Sequence, residues 1–280
     1  MRKNVMMEKT FETPCGQIHY WVSGKPEKHN LTLVFLPGLT ADHRLFEKQV
    51  EYFKDYHVFV WDAPGHAKSW PFQFDFTLMD KARWLDEIFK KEDINHPVIV
   101  GQSMGGYVGQ AYAQLFPRKL KGFVSIDSAP LQRKFTTGIE IWLLKKMEPV
   151  YRYYPWKSLL KTGTKGVATS KYGQGLMYDM MMVYQGDKRR YARLAGHGCR
   201  ILAEAIEADL PYKISCPALL ICGEKDRAGS CIRYSKAWHR ETGIPLEWIE
   251  GAGHNSNTDA PDQINAFIEK VLLEVKDEME

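Results

Sequence analysis

Short apolar runs recur along this chain, and each gives way to a turn built from glycine, proline or aspartate. They are Leu31-Thr-Leu-Val-Phe-Leu36, Val58-Phe-Val-Trp61, Pro97-Val-Ile-Val100, Gly122-Phe-Val-Ser-Ile126, Ala218-Leu-Leu-Ile-Cys222 and Leu246-Glu-Trp-Ile249. Apolar runs this short fit strands buried on both faces. Amphipathic stretches separate them: Leu78, Ala82, Leu85 and Phe89 recur at three- and four-residue steps, the period of a helix packed on one face. Helices are also expected over 44–53, 107–116, 230–241 and 262–275, the last opened by Pro261 at its first position. Such alternation folds as a mostly parallel sheet covered on both sides. Gln17–Val22, after the turn at Pro14-Cys-Gly16, reads as an antiparallel edge strand.

The pattern breaks once. Residues 131–208 contain no clear strand but carry helical stretches such as Gly138–Met147 and Tyr191–Ala208. They hold seven of the 14 tyrosines and five of the 11 methionines, including Met180-Met-Met182. They also carry 14 Lys and Arg against 6 Asp and Glu, a net of +8, while the rest of the chain has 24 against 28, a net of −4. The division expected is a core domain from 1–130 and 209–280 with a helical insert at 131–208.

Several classes of function are excluded or disfavoured. At 280 residues and 44% hydrophobic content the chain builds one large α/β domain or two small ones. No apolar stretch reaches membrane-span length, so no stable membrane insertion is expected. Positive charge near Met1 is not followed by an apolar segment, so no secretory signal is expected. The five cysteines, Cys15, Cys199, Cys216, Cys222 and Cys231, are odd in number and show no C-x-x-C pair, which suits reduced thiols in a cytoplasmic protein. The nine histidines show no metal-binding spacing, so neither metal nor other cofactor is expected, and nothing resembles a nucleic-acid-binding module. Oligomeric state is left open.

Chemistry enters at Gly101-Gln-Ser103-Met-Gly-Gly106, a G-x-S-x-G turn between a buried strand and a helix. Such a turn lifts a serine hydroxyl clear of the backbone and aims helix N–H groups at a developing negative charge. Serine at neutral pH needs a base, and the base needs an orienting acid. Two loops after later strands supply them: Gly223-Glu-Lys-Asp226 and Gly251-Ala-Gly-His254. Asp127, which follows the strand after the serine turn, competes with Asp226 for the acid position. His43 and His66, in loops at the same sheet edge, either border the pocket or serve structure, and Asp62 and Ser69 are expected to stabilise their own loop.

These motifs resemble the α/β-hydrolase superfamily over nearly the whole chain, in its serine esterase or lipase-like branch. Asp62-Ala-Pro-Gly-His-Ala-Lys-Ser69 also resembles the superfamily's D-x-x-G-x-G-x-S signature, with Ala67 replacing the second glycine. The resemblance implies an eight-stranded, mostly parallel sheet and a helical lid at 131–208, between the sixth and seventh strands. It implies Ser103 as nucleophile, His254 as base, Asp226 as acid, and an oxyanion hole from the backbone N–H groups of Leu39 and Met104. Pro37 departs from the His-Gly common there but leaves the Leu39 donor in place.

The expectation is a serine hydrolase of small or medium carboxylic esters. Methionines and aromatics of the insert suggest an adaptable apolar pocket or, equally, plain packing. The basic insert raises a second possibility: an acidic substrate, such as an acyl-CoA thioester or a diketone cleaved at carbon–carbon. A third is a ligand-binding protein of low turnover on the same fold.

Overall fold

The computed structural model describes residues 5–24 and 30–279; the basic start of the chain, 1–4, lies outside them. Eight strands form one sheet: β1 (Met7–Thr13), β2 (Gly16–Val22), β3 (Thr32–Leu36), β4 (His57–Trp61), β5 (Pro97–Gln102), β6 (Gly122–Ile126), β7 (Ala218–Gly223) and β8 (Leu246–Ile249). Their order is β1-β2-β4-β3-β5-β6-β7-β8. β1 and β2 run antiparallel at one end, and β3 to β8 are parallel.

Gln17–Val22 is therefore not the edge. β1 lies outside it, paired from Met7 opposite Val22 to Thr13 opposite Gly16. β1 reads Met-Glu-Lys-Thr-Phe-Glu-Thr and buries none of its residues fully. It shows no apolar face in sequence because an edge strand of this kind covers little core.

The apolar runs are strands because both their faces are covered. In β3, Val34 and Leu36 enter one packed layer and Leu33 and Phe35 the other; in β5, Ile99 divides from Val98 and Val100 in the same way. The side-chain period of two sends alternate residues to opposite layers. The first layer is built with α2 (Leu78–Lys91) and α3 (Met104–Leu115), and the second with α11 (Pro261–Met279). Thr77 caps α2 through a reciprocal bond with Asp80, and Pro261 opens α11. Further helices complete the core: α1 (Glu47–Tyr52), α9 (Cys231–Thr242) and α10 (Ser256–Asp259).

Between β6 and β7 the chain leaves the sheet. It forms α4 (Gly138–Lys145), α5 (Met147–Tyr153), α6 (Trp156–Lys165), α7 (Lys171–Met182) and α8 (Lys188–Glu207), with no strand among the described residues there. α8 anchors this segment: it buries Ile201, Leu202 and Ile206 in the first layer and Tyr191, Leu194 and Ala195 in the second.

The strand order also locates the site. β3 is flanked by β4 on one side and β5 on the other, so consecutive crossovers leave in opposite directions. A crevice opens above the carboxyl ends of the strands at such a reversal. Leu39 follows β3 there and Ser103 follows β5.

Candidate active site

Ser103 sits between β5 and α3 with φ +50° and ψ −115°. A non-glycine residue at positive φ is strained, and packing holds it there. Its N–H donates to the Ile126 carbonyl at 2.9 Å, and its carbonyl accepts from Gly106 at 2.9 Å. The glycines around it answer close approach. A Cβ on Gly105 would collide with the Leu36 carbonyl, and one on Gly101 with the backbone of Gly105. The turn lies so tightly against β3 that no side chain fits.

β7 and β8 deliver the other two groups. His254 Nε2 is 2.9 Å from Ser103 Oγ, and His254 Nδ1 is 2.9 Å from Asp226 Oδ2. The other Asp226 oxygen accepts from the Ala228 N–H at 2.7 Å. Burial opposes charge at both groups, but their mutual hydrogen bond and attraction outweigh it. Asp226 is held below the usual carboxylate value, and His254 is raised above the ordinary histidine value. The structure thus joins hydroxyl, imidazole and carboxylate in one hydrogen-bonded chain. Such a chain can draw the proton off a serine as it attacks an electrophilic carbon.

Asp127 takes a different position. Its Oδ1 accepts from the Gly223 N–H at 2.7 Å, and its Oδ2 accepts from the Ser256 N–H and hydroxyl at 2.9 and 2.6 Å. None of these bonds reaches His254. Burial and the nearby Asp226 carboxylate push Asp127 well above the usual range, against the pull of His254 and Ser256. It ties the end of β7 to the start of α10, which brackets the loops carrying Asp226 and His254.

Leu39 and Met104 both border the cavity at Ser103. Among the described residues neither backbone N–H has a hydrogen-bond acceptor. Two free donors beside a serine hydroxyl are what an oxyanion requires.

His43, His66, Asp62 and Ser69 hold their own loops together. His43 stacks on Trp21 with ring centroids 3.7 Å apart and meets Asp62 through Nδ1 at 2.8 Å. His66 is buried, with Nδ1 within 3.2 Å of the Ala63 and Pro64 carbonyls. Neither lines a cavity at Ser103. Asp62 also accepts from the N–H groups of His43 and Lys68, while the Ser69 hydroxyl donates to the Asp62 carbonyl. The methionines divide between both expected uses: Met147 lines one cavity and Met177 another, while Met180 and Met181 are packed in the core.

Sequence reading passed over two supporting residues. Gln102 is 2% exposed at the end of an apolar strand. Its amide donates to the His254 carbonyl at 2.8 Å and to Asn255 Oδ1 at 3.2 Å, joining the serine turn to the histidine loop. The signal was a lone amide in a fully buried strand. Asp259 accepts from Gly253, beside His254, at 2.8 Å and from Thr169 and Ser170 before α7. Nothing in the sequence around Asp259 marks that bridge.

Two cavities meet at Ser103, of about 390 and 270 Å³. Leu39, Ser103, Tyr151, Ala228 and His254 border both. The larger runs under α4 and α8 and is mostly apolar, with Leu143, Leu144, Met147, Leu202 and Ile206. The smaller is more mixed, with Thr40, Thr162, Asn255, Leu159 and Met177. No lysine or arginine lines either among the described residues.

A mostly parallel eight-stranded sheet with serine, histidine and aspartate at its carboxyl edge is an arrangement of the hydrolase class. The family described as "Alpha/beta hydrolase family" matches residues 33–267, and the chain belongs to it. Among curated proteins, (E)-2-((N-methylformamido)methylene)succinate hydrolase of Acinetobacter baylyi is 24% identical over 279 residues, covering 95% of this chain and 98% of that protein. From the same organism, 3-oxoadipate enol-lactonase 2 is 25% identical over 249 residues, covering 86% and 88%. Among solved structures, a thermophilic esterase from Thermogutta terrifontis superposes with a TM-score of 0.72 at 19% identity, covering 97% of this chain and 99% of that one. The described residues contain no helix long and apolar enough to cross a membrane.

Proposed function

We propose that this protein is a serine hydrolase of neutral carboxylic esters with small or medium apolar acyl groups. The observation that carries this reading is the hydrogen-bonded chain Ser103–His254–Asp226 opening onto a mostly apolar cavity. In this reading Ser103 Oγ attacks the ester carbonyl while His254 Nε2 takes its proton. The oxyanion is stabilised by the N–H groups of Leu39 and Met104, each worth ~3 kcal/mol in comparable sites. His254 then delivers the proton to the departing alkoxide, and water repeats the attack on the acyl-enzyme. Asp226 fixes the imidazole tautomer and stabilises the imidazolium. Residues 131–208 act as a lid over a core of 1–130 and 209–280, and the protein works in the cytoplasm without metal or other cofactor.

The cavity chemistry favours neutral substrates. Succinate and oxoadipate, in the names of two relatives, are dicarboxylates. No lysine or arginine lines the larger cavity to meet a buried carboxylate; its acidic lining residues are Asp127 and Glu140, and Glu140 already holds Arg233 at 2.8 Å. Uncompensated burial of a charge is strongly unfavourable. The net +8 of residues 131–208 is not turned toward Ser103, which weakens the acidic-substrate reading.

An ester panel tests the proposal. Activity is expected to rise with acyl chain length until the larger cavity is full, and to vanish in Ser103→Ala. Equal turnover of an acyl-CoA thioester, or full activity in Ser103→Ala, would overturn it.

A further inference from the structure

Helix α4 carries Ile139, Ile141, Trp142, Leu143 and Leu144 within eight residues, so it is apolar around most of its circumference. Helices of that kind are normally buried. Here only Ile141 is. Leu143 and Leu144 reach the larger cavity, whereas Ile139 and Trp142 are 73% and 59% exposed. The apolar surface continues along α5 and just past it, through exposed Val150, Tyr153 and Tyr154. Six of the 13 exposed large hydrophobic residues among those described fall within residues 139–154. A concentration of that kind marks an interaction surface.

Charge narrows the partner. Lys146 follows α4, and Lys157, Lys161 and Lys165 stand at four-residue intervals along α6, all exposed; Lys145, at the end of α4, is already paired with Glu207. The acidic groups of α4 and α5 are already paired, Glu140 with Arg233 at 2.8 Å and Glu148 with Arg152 at 2.6 Å. Apolar and aromatic tips with lysines next to them along the chain suit a phospholipid surface: rings settle at the headgroups and ammonium groups meet phosphates. The surface is also continuous with the candidate site, because Leu143 belongs to both.

We propose that α4, α5 and the lysine face of α6 dock on an anionic phospholipid surface. Ser103 then receives its ester from that surface, past Leu143 and into the larger cavity. The docking stands on the exposed patch alone; the delivery of an ester rests on the serine hydrolase reading above.

Co-sedimentation of the full chain with phosphatidylcholine vesicles, with and without phosphatidylglycerol, tests the docking. Wild type is expected to pellet with the anionic vesicles and to stay largely soluble with the neutral ones. Ile139→Ser/Trp142→Ser, which leaves the cavity lining intact, should lower the pelleted fraction roughly tenfold. Its hydrolysis of a soluble short-chain ester should stay within about twofold of wild type, as for surface changes. Lys157→Glu/Lys161→Glu/Lys165→Glu should lose binding most at low salt. The docking is overturned if wild type ignores both vesicle types, or if Ile139→Ser/Trp142→Ser binds like wild type. It is equally overturned if size-exclusion chromatography shows a wild-type dimer that this variant breaks, without vesicle binding; the patch then joins two copies. Ser103→Ala should sediment like wild type, so a failed hydrolase reading and a failed docking are told apart.

Discussion

At Ser103 a strained backbone, a hydrogen-bonded imidazole and two free N–H donors coincide. The two aspartates near them divide their work by hydrogen bonding rather than by position in the chain. Asp226 faces His254, and Asp127 faces Gly223 and Ser256. Asp226→Asn is therefore expected to lower kcat about 10⁴-fold, as when the imidazole tautomer is lost in comparable triads. Asp127→Asn should cost far less in kcat and appear mainly as a lower Tm. If Asp127→Asn abolished turnover and Asp226→Asn did not, the roles would be reversed.

The titration of His254 gives a second test. Its folded pKa is raised, so the imidazole stays protonated, and unable to act as base, to a higher pH than an ordinary histidine. The acid limb of kcat/KM should lie above the ordinary value of 6.5. Removing the Asp226 charge removes the main cause of the rise, with Asp127 the lesser one, so in the residual activity of Asp226→Asn that limb should move to lower pH. A limb at the same pH in both proteins would contradict the coupling. That Ser103, Asp226 and His254 would lie together was legible in sequence, because each follows an apolar strand in a turn that contains glycine. The choice between Asp226 and Asp127 was not, since both follow strands at the same sheet edge and only side-chain direction separates them.

At the scale of elements, the buried strands announced themselves and β1 did not. A strand packed on both faces must be apolar throughout, whereas β1 is specified mainly by its ladder to β2 and the short turn between them. Helix α4 misleads in the opposite direction: its apolar composition predicts burial, yet much of it faces solvent. Ala67 shows a third case. Its φ is +34°, where the family signature places glycine, and its carbonyl accepts from Arg190 at 2.8 Å. The left-handed region costs a non-glycine residue ~1–2 kcal/mol, against ~0.5–1 kcal/mol of extra chain entropy for glycine. Ala67→Gly should therefore stabilise the fold by about 0.5 kcal/mol, a small rise in the urea midpoint. A clear fall in that midpoint would mean the loop is not strained at Ala67.

For the molecule as a whole, the sheet edge carries Ser103, Asp226 and His254, and the 131–208 segment lines much of the two cavities beside them with its helices. Its positive charge could be counted from the sequence, but the direction in which that charge points could not. None of its lysines or arginines lines either cavity at Ser103. Hydrolysis of neutral soluble esters should be nearly independent of ionic strength. A terminal carboxylate on the acyl chain should lower kcat/KM roughly 100-fold, the penalty of burying a charge without a partner. A preference for the acidic ester that salt abolishes would show that a cation reaches the site after all.

The central claim is that Ser103 is a nucleophile activated by His254. Treatment with a fluorophosphonate probe, followed by peptide mass spectrometry, examines it without knowledge of the natural substrate. Wild type should carry one phosphonyl group on Ser103, while folded Ser103→Ala should carry none and His254→Ala should label far more slowly. Well-folded wild type that stays unlabelled, or labelling that persists unchanged in Ser103→Ala, would contradict the account.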